Sequence, residues 1–200
     1  MAKSESTARE RIVETAGSMF AERGFDGVSV ADIAAASGIS TGLIYYHFKD
    51  KQALYESVVR ESVHLLEDAA IRTLGQQGRP IERIRAFIAE YMRLLEDELD
   101  VMRLLVRTFT DSSGHVPEHV LMRTASTIDR VQAVIEEGIE AGEFRTVDSH
   151  LAATALFALV NTLVTARVLE APRRPWTDTT VEQQAAFMTE LFLEGVARCS

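Results

Sequence analysis

Ser29 and Ser40 stand eleven residues apart, each preceded by an apolar residue and each followed four positions later by isoleucine: Val28-Ser29 with Ile33, and Ile39-Ser40 with Ile44. A serine at a helix start accepts a hydrogen bond from one of the free amides of the first turn, and the apolar residue before it packs on one four positions inside the helix. Two helix starts are therefore written into one short stretch. Ser37-Gly38 closes the first helix, because glycine accepts the left-handed conformation that follows a helix end. That leaves Val30 to Ser37 for one helix, with Val30, Ile33 and Ala34 facing inward, and about Thr41 to Phe48 for the next. Two short helices joined by a tight, glycine-containing turn make a helix-turn-helix.

The residues before this pair supply a third helix. Thr7 followed by Glu10 repeats the cap-and-acid pattern of Ser29 with Asp32, and Ile12, Ala16, Met19 and Phe20 fall on one helical face before Gly24 stops it. Asp26-Gly27 turns the chain. About 45 residues enclose too small a core to be comfortable alone, so this unit has to dock on the helices C-terminal to it.

From Asp50 onward the apolar spacing is helical throughout. Leu54, Val58, Leu65 and Ala69 mark a long helix to about Leu74, with Gly75 to Pro80 as connector. Ile81, Ile84, Ile88, Tyr91 and Leu95 mark the next, and Val101 to Phe109 a short apolar one. Asp111 to Val116 reads as a polar loop. Pro117 suits the first turn of a helix running through Val120, Ile128, Val131, Ile135 and Ile139 to Gly142. Asp148 caps a helix from Ser149 to about Leu169, Pro172 to Asp178 link it onward, and Thr179 with Glu182 opens a last helix of about Val181 to Arg198. No strand pattern or internal repeat interrupts the series. The expectation is an all-α chain of about nine helices, divided into a helix-turn-helix domain over residues 1–50 and a larger helical domain over 51–200.

With 46% hydrophobic and 26% charged residues, the chain has the composition of a soluble globular protein rather than a disordered or collagen-like one. The polar start, Met1 to Thr7, shows no secretory signal, which points to the cytoplasm. The apolar run Leu151 to Ala166 contains Thr154, Asn161, Thr162 and Thr165 and reads as a buried helix too short for a bilayer. Cys199 alone permits neither an internal disulfide nor a thiolate zinc cluster. A net charge of -9 argues against a nucleic-acid partner, because duplex affinity comes largely from cations on phosphates. Its distribution softens that objection. Residues 1–52 hold six basic and seven acidic side chains, net -1, while the rest hold fifteen and 23, net -8. All three lysines, Lys3, Lys49 and Lys51, lie in the first part.

Taken together, Ser29-Val30-Ala31-Asp32-Ile33-Ala34, Ser37-Gly38-Ile39-Ser40, Gly42-Leu43-Ile44-Tyr45-Tyr46-His47-Phe48, Lys51 and Leu54 resemble the DNA-binding signature of the TetR family over roughly residues 7–60. A weaker resemblance is Gly142-Glu143-Phe144-Arg145, then Asp148 and the alanine-rich helix to Thr165, which is similar to family C-terminal domains. The resemblance implies a regulator whose third helix enters the major groove and whose fourth begins against the phosphates. Carried over by position, Ser40, Thr41, Gly42, Tyr45 and His47 approach bases or adjacent phosphates, while Ser29, Tyr46 and Lys51 hold phosphates. No arginine or asparagine lies in the third helix, so the bidentate readers of guanine and adenine are missing and shape contributes more. Leu43 differs from the small polar residue often found at its position.

The remaining expectations concern ligand and partner. A small, largely apolar effector is expected near His64, Tyr91, Met102, Phe109, Phe157, Asn161 and Thr165. A homodimer seam is expected from Ala152, Ala155 and Ala158, whose small side chains admit a close backbone, with Phe187, Leu191 and Phe192. Operator DNA, a second copy and the effector are the expected partners; no membrane, metal or cofactor is. Glu61-x-x-His64 has di-iron spacing but no second such pair. His115 and His119 flank Pro117, which favours loop geometry over a metal site. No nucleophile triad, phosphate loop or dinucleotide fingerprint supports an enzyme. The alternatives left open are a helical ligand-binding protein and a transcriptional activator of the same fold.

Overall fold

The computed structural model describes residues 7–110, 116–170 and 179–196, among which nine helices and no strand occur. They are α1 (Ala8–Arg23), α2 (Val30–Ser37), α3 (Thr41–His47), α4 (Lys51–Leu74), α5 (Pro80–Asp97), α6 (Leu99–Thr110), α7 (Glu118–Glu140), α8 (Ser149–Glu170) and α9 (Val181–Val196). Cys199, His115 and the Pro172 to Asp178 link lie outside the described residues, as do the last two residues of the expected final helix.

The chain forms two compact units, Met1–Val63 with Asp100–Val120, and His64–Leu99 with Leu121–Ser200. This cut differs from a boundary at residue 50, because the first half of α4 and nearly all of α6 pack with the N-terminal helices.

In the first unit, Ile12, Ala16 and Phe20 of α1, Ile33 of α2, Ile44 of α3 and Leu54 of α4 are buried. Phe20, Phe25 and Tyr55 meet edge-on or stacked at 5.1–6.0 Å between ring centres. The Tyr55 hydroxyl lies 3.0 Å from Thr108 Oγ1, tying α4 to α6. Arg107 of α6 donates to Ala21 O at 2.8 Å and Glu22 O at 3.1 Å. Those carbonyls end α1, where no helical amide follows to satisfy them.

The second unit is built on α5, which packs chiefly on α9 and also on α8. Ile84, Phe87, Ile88, Tyr91 and Met92 form its buried stripe. The Gly142–Arg145 stretch locks this unit in three ways. Gly142 takes φ 74° after α7, and Phe144 turns back under Gly138 with its amide on Gly138 O at 3.0 Å. Glu143 accepts from the Ile81 amide at 3.2 Å, supplying the cap that Arg79-Pro80 lack at the start of α5. Arg145 donates through its amide to Val196 O and through Nε to Gly195 O, closing the end of α9.

Two expectations are corrected. The last helix is capped by Thr180 with Gln183, through Gln183 N to Thr180 Oγ1 at 3.3 Å and Thr180 N to Gln183 Oε1 at 2.8 Å, rather than by Thr179 with Glu182. The helical run Ser149–Val168, with mean hydropathy 1.6, is long and apolar enough to cross a bilayer, because the helix extends past both ends of Leu151 to Ala166. Nor is it buried all round. Ala153, Leu156, Val160 and Val164 form the buried stripe, while Leu151, Thr154, Ala155, Ala158 and Thr162 face outward.

Candidate nucleic-acid interface

The local frame of the first unit is set by its caps. The Ser29 hydroxyl accepts from the Asp32 amide at 3.1 Å and donates to Asp32 Oδ2, which in turn accepts from the Ser29 amide at 2.9 Å. These bonds, the hydroxyl first and the amide second, hold the Asp32 carboxyl below the ordinary carboxylate range. They also commit the Ser29 hydroxyl to α2 itself. Gly38 then takes φ 68°, ψ 26°, and Arg11 donates to Ser37 O at 2.7 Å. Ser40 caps α3 by accepting from the Leu43 amide at 3.3 Å.

Within α3 the division of faces is sharp. Ile44 is buried, and Phe48, just past the helix end, is buried beneath the Arg9 guanidinium at 5.5 Å. Thr41 and Gly42 are exposed. Tyr45 is 54% exposed and Tyr46 82%, with Leu43 at 38%. At 100° per residue, Gly42 and Tyr46 lie opposite the buried side, with Tyr45 on one flank and Leu43 on the other. His47 is half-buried, its ring 5.2 Å from that of Tyr46. A Cβ added at Gly42 meets nothing within 4 Å, so no packing among the described residues requires glycine there.

Lys51 is engaged with the chain. Its ammonium donates to Phe25 O at 3.0 Å and Val28 O at 3.1 Å and lies 4.1 Å from the Phe25 ring centre. An open cleft of about 600 Å³ brings Ser29, Tyr45 and Lys51 together with Asp26 to Val28 and Asp32. The other cations of this region are also partly committed. Arg9 pairs with Glu61 at 3.0 Å and Arg23 lies 3.5 Å from Glu22, while Lys49 is exposed.

The expected effector residues divide between the units. Met102, buried, and Phe109, exposed, sit on α6 in the first. In the second, the buried Tyr91 hydroxyl donates to Asn161 Oδ1 at 3.2 Å, and Asn161 Nδ2 donates to Phe157 O at 2.8 Å. Burial pushes the Tyr91 phenol well above its usual range, with the Asn161 bond opposing. Thr165 is half-buried one turn beyond Asn161. His64 has its Nε2 3.0 Å from Arg123 Nη2 and its Nδ1 3.7 Å from Glu67, which pairs with the same arginine. Of the expected seam residues, Ala155, Ala158, Phe187 and Leu191 are exposed and Ala152 is half-buried. Phe192 is 8% exposed and belongs to the core, because it falls on the α9 stripe of Val181, Ala185, Met188 and Val196 that faces inward.

Sequence reasoning missed Arg11, Arg107 and Glu143, which serve helix ends far along the chain. The bare Arg79-Pro80 start of α5 was the one signal that a cap had to come from elsewhere.

A capped helix pair presenting a short, exposed third helix on a packed base defines a helix-turn-helix DNA-binding protein. Residues 12–58 match the family model for bacterial regulatory proteins of the tetR family, and residues 77–165 match that for the tetracyclin repressor-like C-terminal domain. The chain belongs to the TetR family of transcriptional regulators. Operator DNA, a second copy of the chain and a small-molecule ligand are the partners of this family. Among curated relatives, the HTH-type transcriptional repressor KstR2 of Mycolicibacterium smegmatis is 27% identical over 143 residues, covering 70% of this chain and 69% of that protein. The solved regulator PfmR from Thermus thermophilus superposes with a TM-score of 0.76 at 26% identity, covering 94% of this chain and 100% of that one. The regulator FadR from Bacillus subtilis, solved in complex with stearoyl-CoA, shares the fold with a TM-score of 0.80 at 20% identity, covering 93% and 98%.

Proposed function

We propose that the chain is a repressor that binds its operator as a homodimer through Ser29, Ser40, Thr41, Gly42, Tyr45, Tyr46, His47 and Lys51. It is released when a small-molecule effector enters the helical domain of residues 51–200, an acyl-coenzyme A whose apolar acyl chain is buried there and whose charged coenzyme A part stays towards solvent. The observation that carries the DNA-binding half is the outward face of α3, where Gly42 and Tyr46 stand fully clear of the core. Phosphate oxygens meet hydroxyls and free amides at such a surface, and bases meet apolar and hydroxyl groups. The sign of regulation rests on kinship to a repressor. The ligand class rests on stearoyl-CoA in a protein of the same fold, and on Tyr91 and Asn161, a part-buried polar pair that can offer a ligand one orienting contact. The regulator acts in the cytoplasm, where the DNA is.

Ligand binding lowers operator affinity only through a difference in ligand affinity between two conformations of the protein. Fluorescence anisotropy on a duplex enriched from a random pool tests the scheme. Stearoyl-CoA and isovaleryl-CoA are added in turn, with free stearate as control. The expected result is a rise in operator Kd of about five- to 150-fold with at least one thioester. A pool that enriches no sequence rejects the DNA-binding reading. An enriched operator indifferent to every thioester rejects the ligand class.

A further inference from the structure

We propose that Leu43 makes this regulator a reader of thymine methyl groups, so that its operator half-sites are specified by a 5-methyl contact rather than by bidentate hydrogen bonding. The inference rests on α3 being the recognition helix. Between Thr41 and His47 there is no Arg, Lys, Asn, Gln, Asp or Glu, so none of the side chains that grip two base-edge atoms at once is present. What the outward face offers instead is one purely apolar side chain, Leu43, 38% exposed on the flank opposite Tyr45. A single exposed leucine is ordinary on a protein surface. This one stands beside Gly42, where open space surrounds the missing Cβ.

Glycine costs up to about 1 kcal/mol relative to alanine in a helix, and nothing among the described residues calls for it at this position. The gap lets a duplex approach the backbone of α3, and that approach carries Leu43 against the base edges. The major-groove edges of the four bases present donors and acceptors, with one apolar group among them, the thymine methyl. Leu43 has no polar atom with which to use the others. Thr41 and Tyr45 each carry a hydroxyl and keep that choice. Among the exposed side chains of α3, Leu43 is the one that can use only the methyl.

The test uses the full-length protein and an operator selected from a random duplex pool. Each thymine is replaced singly by uracil, which removes the methyl and leaves base pairing intact. For the wild-type protein, one thymine position per half-site, or two adjoining ones, is expected to bind about three- to fivefold more weakly as uracil. Changing both half-sites together is expected to cost about tenfold or more. For Leu43→Ala, an exposed substitution whose folding is checked by circular dichroism, the same thymine-to-uracil changes should cost nothing. Operators whose thymines all tolerate uracil overturn the proposal, as does a Leu43→Ala protein that keeps the wild-type sensitivity. A pool that enriches no sequence overturns the DNA-binding reading beneath it, and the inference with it.

Discussion

Two glycines inside helices show how differently the same residue can be justified. In α7, a Cβ at Gly138 would lie far inside van der Waals contact of Cδ2 and Cε2 of Phe144; the glycine is there for the protein's own packing. In α3, a Cβ at Gly42 meets nothing among the described residues, which leaves the DNA surface as its proposed reason. The two alanine substitutions should therefore move stability in opposite directions. Gly138→Ala overpacks a closed contact, and its melting temperature should fall by about 2–10 °C, from roughly 1–3 kcal/mol of strain in a chain of this size. Gly42→Ala removes a helix-weakening residue, so its melting temperature should rise by about 2–4 °C, while operator affinity falls by about tenfold. Thermal melts and anisotropy titrations on the same samples read both quantities. If Gly42→Ala lost stability, or kept full affinity, the assignment of that glycine to the DNA surface would be wrong.

At the scale of elements, the local signals were legible and the distant ones were not. The Ser29 with Asp32 box, the Ser40 cap, the left-handed Gly38 and the Asp148 cap all depend on residues within four positions, and each forms as its spacing implies. The α9 cap slipped by one residue because Thr179 with Glu182 and Thr180 with Gln183 satisfy the same pattern, and only the tertiary position of the helix separates them. Arg107 on the end of α1 and Arg83 on Leu74 O at the end of α4 left no local trace, and Glu143 at the start of α5 left only the bare Arg79-Pro80 that its bond completes. These bonds close helix ends across 86, nine and 62 residues. Lys51 shows how a role read by position can be refined by geometry. Its ammonium spans two carbonyls of the α1–α2 connection and the Phe25 ring, so it fixes the turn that delivers α2. Replacing it as Lys51→Met keeps the stem and removes the donors. The expected loss is on the order of 1–2 kcal/mol, or a melting temperature lower by about 2–6 °C, with weaker operator binding. The salt dependence of binding separates the roles. A pure phosphate contact would leave stability untouched and lower the salt slope by about one, whereas a turn-fixing lysine lowers stability and leaves the slope close to wild type.

At the scale of the whole molecule, the charge balance and the uncovered face of α8 and α9 lead to the same requirement. A chain of net charge -9 whose N-terminal cations are largely tied to its own carbonyls and carboxylates has little electrostatic affinity to spend on one half-site. It needs two half-sites engaged at once, about 34 Å apart, to hold an operator firmly. The apolar composition of α8 announced a helix that has to be covered, but a sequence cannot say by what. The buried stripe of Ala153, Leu156, Val160 and Val164 meets the chain's own core, and the other side is left with Leu151, Ala155 and Ala158, as α9 is left with Phe187 and Leu191. Phe187 at 63% exposure and Leu191 at 50% lie four residues apart on one helical face. Both are clear of the core, so Phe187→Asp with Leu191→Asp should leave the helical circular dichroism unchanged while placing two charges where a second copy would pack. Sedimentation equilibrium should then report a monomer where the wild-type chain reports a dimer. Operator affinity should fall by about 100-fold or more, because pairing and DNA binding are linked. Persistence of the dimer in the double variant would move the seam away from α9. A monomer that still bound a two-half-site operator at wild-type affinity would remove the need for pairing altogether, and with it the account of how so acidic a protein holds DNA.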